Sequence, residues 1–125
     1  MNCPCCSGEL YLNCCQPYHN GEKHAPTAEA LMRSRFSAFA VPKGEYLMET
    51  TLPKKRKFHN TDDLQEWGEI NTWTKLEIVQ KPSEDQVEFQ AFYTDEDGQP
   101  QFHHELSLFR KLGGRWYYVS GKFLD

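Results

Sequence analysis

The chain lacks most of what would place it at a membrane or on a polynucleotide. In its 125 residues no apolar run approaches the ~18 needed to span a bilayer. There is no excess of positive charge either. The net charge is −4, which argues against a general nucleic-acid binder. Nothing before Cys3 has the charged-then-apolar character of a secretory leader. With free thiols, that leads us to expect a reducing, cytoplasmic setting. No activated nucleophile or Asp-His-Ser set can be assembled, which argues against an enzyme. At this length the chain fits one domain with a real core plus a short appendage.

What is present is concentrated at the start. All five cysteines lie within the first fifteen residues: Cys3-Pro4-Cys5-Cys6, then the adjacent pair Cys14-Cys15. Two groups of soft sulfur ligands joined by one short loop suit a four-coordinate structural zinc site. Pro4 narrows the local backbone, and Gly8 can take the positive φ of a tight reversal. Neighbouring cysteines can share one ion only where the backbone bends, as at a helix start, because an extended chain points them to opposite faces. A disulfide framework fits poorly, since the count is odd and two thiols are sequence neighbours. Cys3 and Cys6 have C-x-x-C spacing, but at a terminus and not beside a βαβ pattern, which disfavours a redox pair. A segment this polar does not suit inert buried cysteines. Five thiols, with His19 and His24 nearby, leave the choice of ligands open at this point.

The pattern C-x-C, eight residues, C-C resembles the SEC-C motif, the zinc-binding tail of the bacterial translocase ATPase SecA. That motif usually reads C-P-C-G-S-G where this chain has Cys3-Pro4-Cys5-Cys6-Ser7-Gly8, so Cys6 stands in the place of glycine. The resemblance implies Zn²⁺ held by Cys3, Cys5, Cys14 and Cys15. Cys6 is then the spare thiol and the one to watch for oxidation.

Residues 16–26 contain Pro17, Gly21 and Pro26 and read as a linker. A helix is expected from Thr27 to Ala40, with Ala28, Leu31, Met32, Phe36 and Phe39 on one apolar face. Arg33 and Arg35 flank that stripe, either solvated or reaching to an acidic partner or a carboxylate of the domain itself. A shorter helix is expected over Pro42–Thr51. Lys54–Lys57 reads as a solvated basic loop. Asn60 should cap a third helix carrying Leu64 and Trp67, ended by Gly68. From Thr72 the period becomes that of strands: Thr72–Lys81, Gln86–Asp95, Gln99–Leu112 and Arg115–Lys122.

Two-residue turns at Asp97-Gly98 and Gly113-Gly114 would set definite registers. The first pairs Tyr93 with Phe102, Ala91 with His104, Phe89 with Leu106 and Val87 with Leu108. The second pairs Leu108 with Val119 and Arg110 with Tyr117. A four-residue loop after the first strand puts Ile78 opposite Phe89 and Leu76 opposite Ala91. On this register His104, Tyr93 and Tyr117 share the apolar face. The opposite face carries Glu88, Gln90, Phe92, His103, Glu105, Ser107, Phe109, Trp116 and Tyr118, a mixture that suits a partner or homodimer interface.

The expected fold class is α+β: an N-terminal zinc-bound SEC-C knuckle (residues 1–20), then a cone (residues 21–125) of three helices on a curved four-stranded antiparallel sheet. The cone resembles cystatin-like and nuclear-transport-factor-two-like domains. The combination resembles the YchJ family of uncharacterised bacterial proteins. The likeness rests on Cys3 to Cys15, on Ala25-Pro26-Thr27-Ala28-Glu29-Ala30-Leu31-Met32-Arg33-Ser34-Arg35-Phe36, on His104-Glu105 and on Gly114-Arg115-Trp116-Tyr117-Tyr118. Two functions follow. One is a non-enzymatic interaction or adaptor protein whose knuckle meets a protein partner, by analogy in the translation or secretion machinery. The other is a small-molecule-binding or enzymatic cone with His104, Tyr93 and Tyr117 as polar anchors and Arg33 or Arg35 beside them.

Overall fold

A computed structural model describes residues 1–124. Helices lie at Gln16–His19 (α1), Ala28–Ala40 (α2), Gly44–Glu49 (α3) and Thr61–Ile70 (α4). Strands follow at Thr72–Ser83 (β1), Gln86–Thr94 (β2), Pro100–Leu112 (β3) and Arg115–Phe123 (β4). The class is α+β, and the sheet is an antiparallel meander in the order β1-β2-β3-β4.

Local chemistry sets the helix starts. Thr27 Oγ1 accepts the Ala30 N–H at 3.0 Å, and Asn60 Oδ1 accepts the Asp63 N–H at 3.0 Å, each satisfying a first-turn donor. Gly68 does not end α4, which runs on to Ile70. A Cβ there would lie 2.7 Å from the Phe39 carbonyl oxygen and 3.3 Å from Pro42 Cβ, so glycine is what lets α4 approach the end of α2. The expected linker contains α1, and the basic loop winds into a 3-10 helix, Pro53–Phe58.

One expected sheet register holds, one holds only next to its turn, and one does not hold. Leu76 lies opposite Ala91 and Ile78 opposite Phe89, as expected. Across the Gly113-Gly114 turn Arg110 pairs with Tyr117, but a shift between Leu108 and Phe109 puts Leu108 opposite Ser120 instead of Val119. The β2–β3 hairpin differs by one residue along its whole length: Val87 pairs with Ser107, Phe89 with Glu105, Ala91 with His103 and Tyr93 with Gln101. The cause is the turn. Asp95 N–H bonds to the Gln99 carbonyl at 2.9 Å, Gly98 N–H bonds to the Asp95 carbonyl at 3.0 Å, and Gly98 has φ +79°. That is a three-residue loop, a tight turn followed by a left-handed glycine. The Asp95 carboxylate also accepts N–H bonds from Asp97 and Gln99, which favours it over the two-residue alternative.

A slip of one residue exchanges the two faces of a strand. His104 therefore lies on the outer face, 2.7 Å from Glu88, and not in the apolar interior. His103, Glu105, Ser107 and Phe109 turn inward, and Trp116 and Tyr118 of β4 sit on the same inner side. The mixed aromatic face offered above as a partner or homodimer surface is thus not one surface. Only Glu88, Gln90 and Phe92 of that set stay outside, joined by Phe102, His104, Leu106 and Leu108.

The main core joins Leu31, Met32 and Phe36 of α2 to Leu76, Val87, Phe89, Phe109 and Trp116 of the sheet. Each such side chain contributes about 1.5–3 kcal/mol on burial. A second cluster, Ala38, Tyr46 and Leu47, packs α3 on α2. The edge of β4 is covered where Leu52 N–H bonds to the Tyr118 carbonyl at 2.8 Å and Tyr118 N–H bonds to the Thr50 carbonyl at 2.7 Å.

Candidate metal centre

The first eleven residues fold back on themselves. Asn2 bridges Leu10, and the Cys3 N–H bonds to the Glu9 carbonyl at 2.8 Å. This small hairpin carries Cys3 and Cys5 at its bend, with Cys6 (φ +64°) and Gly8 (φ +88°) in left-handed conformations. Cys6 is the one non-glycine residue with positive φ among those described. Cys15 occupies the N-cap of α1 with helical φ and ψ, and this bend turns the adjacent Cys14 and Cys15 sulfurs to one side.

The sulfurs of Cys3, Cys5, Cys14 and Cys15 lie within 4.8 Å of one another. Cys5 and Cys14 are 3.6 Å apart, and Cys14 and Cys15 are 3.9 Å apart. These separations are far beyond a disulfide bond of about 2.05 Å. Four close thiols of this kind can hold a metal ion. Cys6 stays outside the group, exposed, with its sulfur 3.4 Å from the Leu76 N–H on the edge strand β1. His19 and His24 are not part of the cluster either.

The knuckle is docked on α2 through one stripe of that helix. Arg33 Nη1 donates to the Cys5 carbonyl at 2.8 Å, Cys3 Sγ is 3.5 Å from Ser37 Oγ, and His19 Nε2 donates to the Ser34 carbonyl at 2.8 Å. Arg33 also pairs with Glu29 one turn earlier, and Glu29 reaches Lys81 of β1 at 2.9 Å. Residues 29, 33 and 37 are spaced by one turn, so they form a single row on the surface of α2. A carbonyl only accepts, so His19 carries its proton on Nε2, and Nδ1 accepts from the Tyr11 hydroxyl at 2.6 Å.

The electrostatics of the cluster favour a cation. Hydrogen bonds from Cys15 and then Cys5 pull the Cys3 thiol well below its ordinary range. Hydrogen bonding to Cys3, then to Cys5, drives Cys15 far upward. Burial first, then its sulfur neighbours, pushes Cys14 to about 11. Tyr11 rises to about 12 through burial and the charge of Cys15 and Cys3. Without a cation, one thiolate suppresses the ionisation of the others. A coordinated metal removes that conflict, because each ligating thiol is then deprotonated outright.

Comparison with known proteins gives this arrangement a family. Residues 27–121 match the family model described as YchJ, middle NTF2-like domain. A UPF0225 protein of Actinobacillus succinogenes is 41% identical over 123 residues, covering 94% of this chain and 79% of that protein. A UPF0225 protein of Deinococcus radiodurans is 40% identical over 120 residues, covering 94% and 86%. The chain belongs to the YchJ family. Two solved structures described as SEC-C motif containing proteins share its fold. One, from Rhodopseudomonas palustris, has a TM-score of 0.89 at 38% identity and covers 100% of both chains. The other, from Psychrobacter arcticus, has a TM-score of 0.81 at 37% identity and covers 98% of this chain and 82% of its own. The YchJ-family cone thus carries a SEC-C cysteine cluster at its N-terminus. No helix among the described residues is long and apolar enough to cross a membrane.

The pocket residues expected from sequence are scattered in this YchJ-family chain. Tyr93 stacks on Trp73 with ring centres 4.7 Å apart, Tyr117 lies beneath Arg115, and Arg33 is committed to the knuckle. Arg35 alone lines a cavity between the helices and the sheet. Its Nη1 donates to the Leu47 carbonyl at 2.8 Å and to Thr50 Oγ1 at 2.7 Å, and its guanidinium lies 4.4 Å from the Tyr118 ring centre. Burial lowers its pKa to about 10. His103, Glu105 and Ser107 also line the cavity, although a two-residue turn at Asp97-Gly98 would put them on the other face. The Asp95 position, four residues before Gln99, was the available signal for the longer turn.

Proposed function

We propose that this protein is a zinc-binding, non-enzymatic interaction protein of the bacterial cytoplasm. Residues 1–20 act as a metal-held knuckle on the cone of residues 21–125. The observation that carries it is the sulfur geometry. A zinc tetrathiolate with Zn–S of about 2.3 Å has sulfur–sulfur edges of about 3.8 Å. The separations of 3.6 and 3.9 Å sit on either side of that value. Ligation by Cys3, Cys5, Cys14 and Cys15 closes the coordination shell, which is the mark of a structural and not a catalytic ion.

A protein partner is supported by what the knuckle shows to solvent. Leu10 and Leu12 are 48% and 67% exposed, although the segment's other side is pinned to α2. An apolar pair on a rigid, metal-held turn suits a small docking surface. Components of the translation or secretion machinery are the partner class we propose, by analogy with the SEC-C tail.

Elemental analysis of freshly reduced protein should find about one zinc per chain and little iron. Less than about half an equivalent of zinc would count against the site. Affinity capture should then recover an identified ribosomal or secretion component with the intact chain. Recovery should fail with Cys14→Ser/Cys15→Ser, which loses the metal, and with Leu10→Ser/Leu12→Ser, which keeps it. Equal capture by the leucine variant would remove the knuckle as the docking surface.

A further inference from the structure

The cavity beneath α2 and α4 is built from unlike parts. Its apolar wall includes Phe36, Phe39 and Trp73, with the Trp73 ring tilted against Phe39 at 5.3 Å and edge-on to Phe36 at 5.8 Å. Its sheet side is polar. Glu105 is 8% exposed, accepts from His103 Nε2 at 2.7 Å and also accepts from the Ser107 hydroxyl. Burial pushes the Glu105 carboxyl up, but His103, Ser107 and the field of Arg35 outweigh it and hold the group ionised. The space measures about 200 Å³, and its lining residues His59 and Trp67 are exposed, which gives a route in from solvent.

The groups left without partners are hydrogen-bond donors. Trp73 Nε1 is buried and has no acceptor among the described residues. An indole N–H can only donate, and leaving one buried and unpaired forfeits the hydrogen bond it makes to water in the unfolded chain. Arg35 uses Nη1, while Nε and Nη2 have no acceptor among the described residues. Donor-only groups beside aromatic walls call for a ligand with an apolar body and an acceptor oxygen. An apolar cavity of about 150 Å³ is enough to take up benzene. The available volume therefore admits a single ring, or an aliphatic body of that size.

We propose that this cavity is a binding site for a compact, largely apolar molecule carrying a carbonyl or carboxylate oxygen, with the Trp73 N–H and Arg35 as its donors. The body lies against the Trp73 and Phe39 rings. Glu105, tied down by His103 and Ser107, fixes the sheet side of the site without contributing a free donor. This site is separate from the cysteine cluster and does not depend on the metal reading.

The test is an NMR titration of the ¹⁵N-labelled, metal-loaded full chain with benzoate, benzamide and, as a probe without an acceptor oxygen, toluene. Saturable binding of benzoate or benzamide should move the Trp73 indole N–H resonance downfield. The two probes separate the anchors, because benzoate draws on the Arg35 charge and benzamide on neutral donors alone. Trp73→Phe, which keeps an aromatic wall, should weaken the better of the two by about tenfold and leave toluene unchanged. The proposal is overturned if neither oxygen-bearing probe binds, if toluene binds as tightly as both, or if the Trp73 indole is unmoved at saturation. The wild-type shift needs no variant, so a misfolded Trp73→Phe protein would not block the decision.

Discussion

Two residues carry conformational choices that single substitutions can expose. Cys6 holds a left-handed φ of +64° where the SEC-C pattern has glycine. Such a conformation costs an L-residue about 1–2 kcal/mol. In return its thiol makes two weak bonds, accepting from the Leu76 N–H at 3.4 Å and donating to the Pro4 carbonyl at 3.6 Å. Cys6→Gly should therefore raise the stability of metal-loaded protein by about 0.5–1 kcal/mol in chemical denaturation, once the added chain entropy of glycine is set against the relieved strain. A fall in stability would mean that the thiol's bonds to Leu76 and Pro4 outweigh the strain. Gly121 makes a different choice. A Cβ there would collide with the Glu105 carboxylate, so glycine leaves the space that the buried acid fills. Gly121→Ala should destabilise by about 1–3 kcal/mol, because Glu105 must leave its bonds to His103 and Ser107. An unchanged urea midpoint would show that the carboxylate has another place to go.

At the scale of elements, α2 has two jobs on two stripes. Leu31, Met32 and Phe36 face the sheet, while Arg33, steadied by Glu29, and Ser37 receive the knuckle. His19 locks α1 to this second stripe as a neutral imidazole between Tyr11 and Ser34. Burial lowers its pKa below 6.5, partly offset by the bond to Ser34. A lowered pKa means the folded state binds fewer protons than the unfolded one near pH 6. The contribution of His19 is therefore complete above its unfolded value and is lost as pH falls through the folded value. Stability should rise from pH 5 to pH 7 more steeply in the wild type than in His19→Asn, with metal loaded in both. Equal slopes would exclude the imidazole. The comparison removes the thiolates, whose own protonation releases metal in both proteins.

For the whole molecule, the cysteine cluster and the sheet hold together by different means. Cys3, Cys5 and Cys15 form the small interior of the knuckle, packed with Tyr11 and Cys14, whereas the cone has its own apolar core. Structural zinc in small peptides is worth on the order of 10–16 kcal/mol of apparent binding energy at neutral pH. Chelation should therefore abolish amide-exchange protection in residues 1–20 and leave the amides of β2 and β3 protected. Loss of both together would mean that the knuckle is integral to the cone. Much of this was legible from the chain itself. Asn60 is a side-chain cap, Gly113-Gly114 needs positive φ, and Cys14-Cys15 can converge only at a bend. Each of these is settled within a few residues of backbone. What lay beyond reach was whatever depends on groups far apart in sequence: the Phe39 carbonyl that requires Gly68, and the α2 row that seats the knuckle. The β2–β3 register was the decisive case. Both loop lengths suit a glycine at residue 98, and alternation alone allows either face to be buried. Sequence determined that a cysteine-bound turn precedes a helix-covered sheet. Only tertiary packing decided that His103 and Glu105, and not His104, face the interior, because their polar atoms find partners there in each other, in Ser107 and in the field of Arg35.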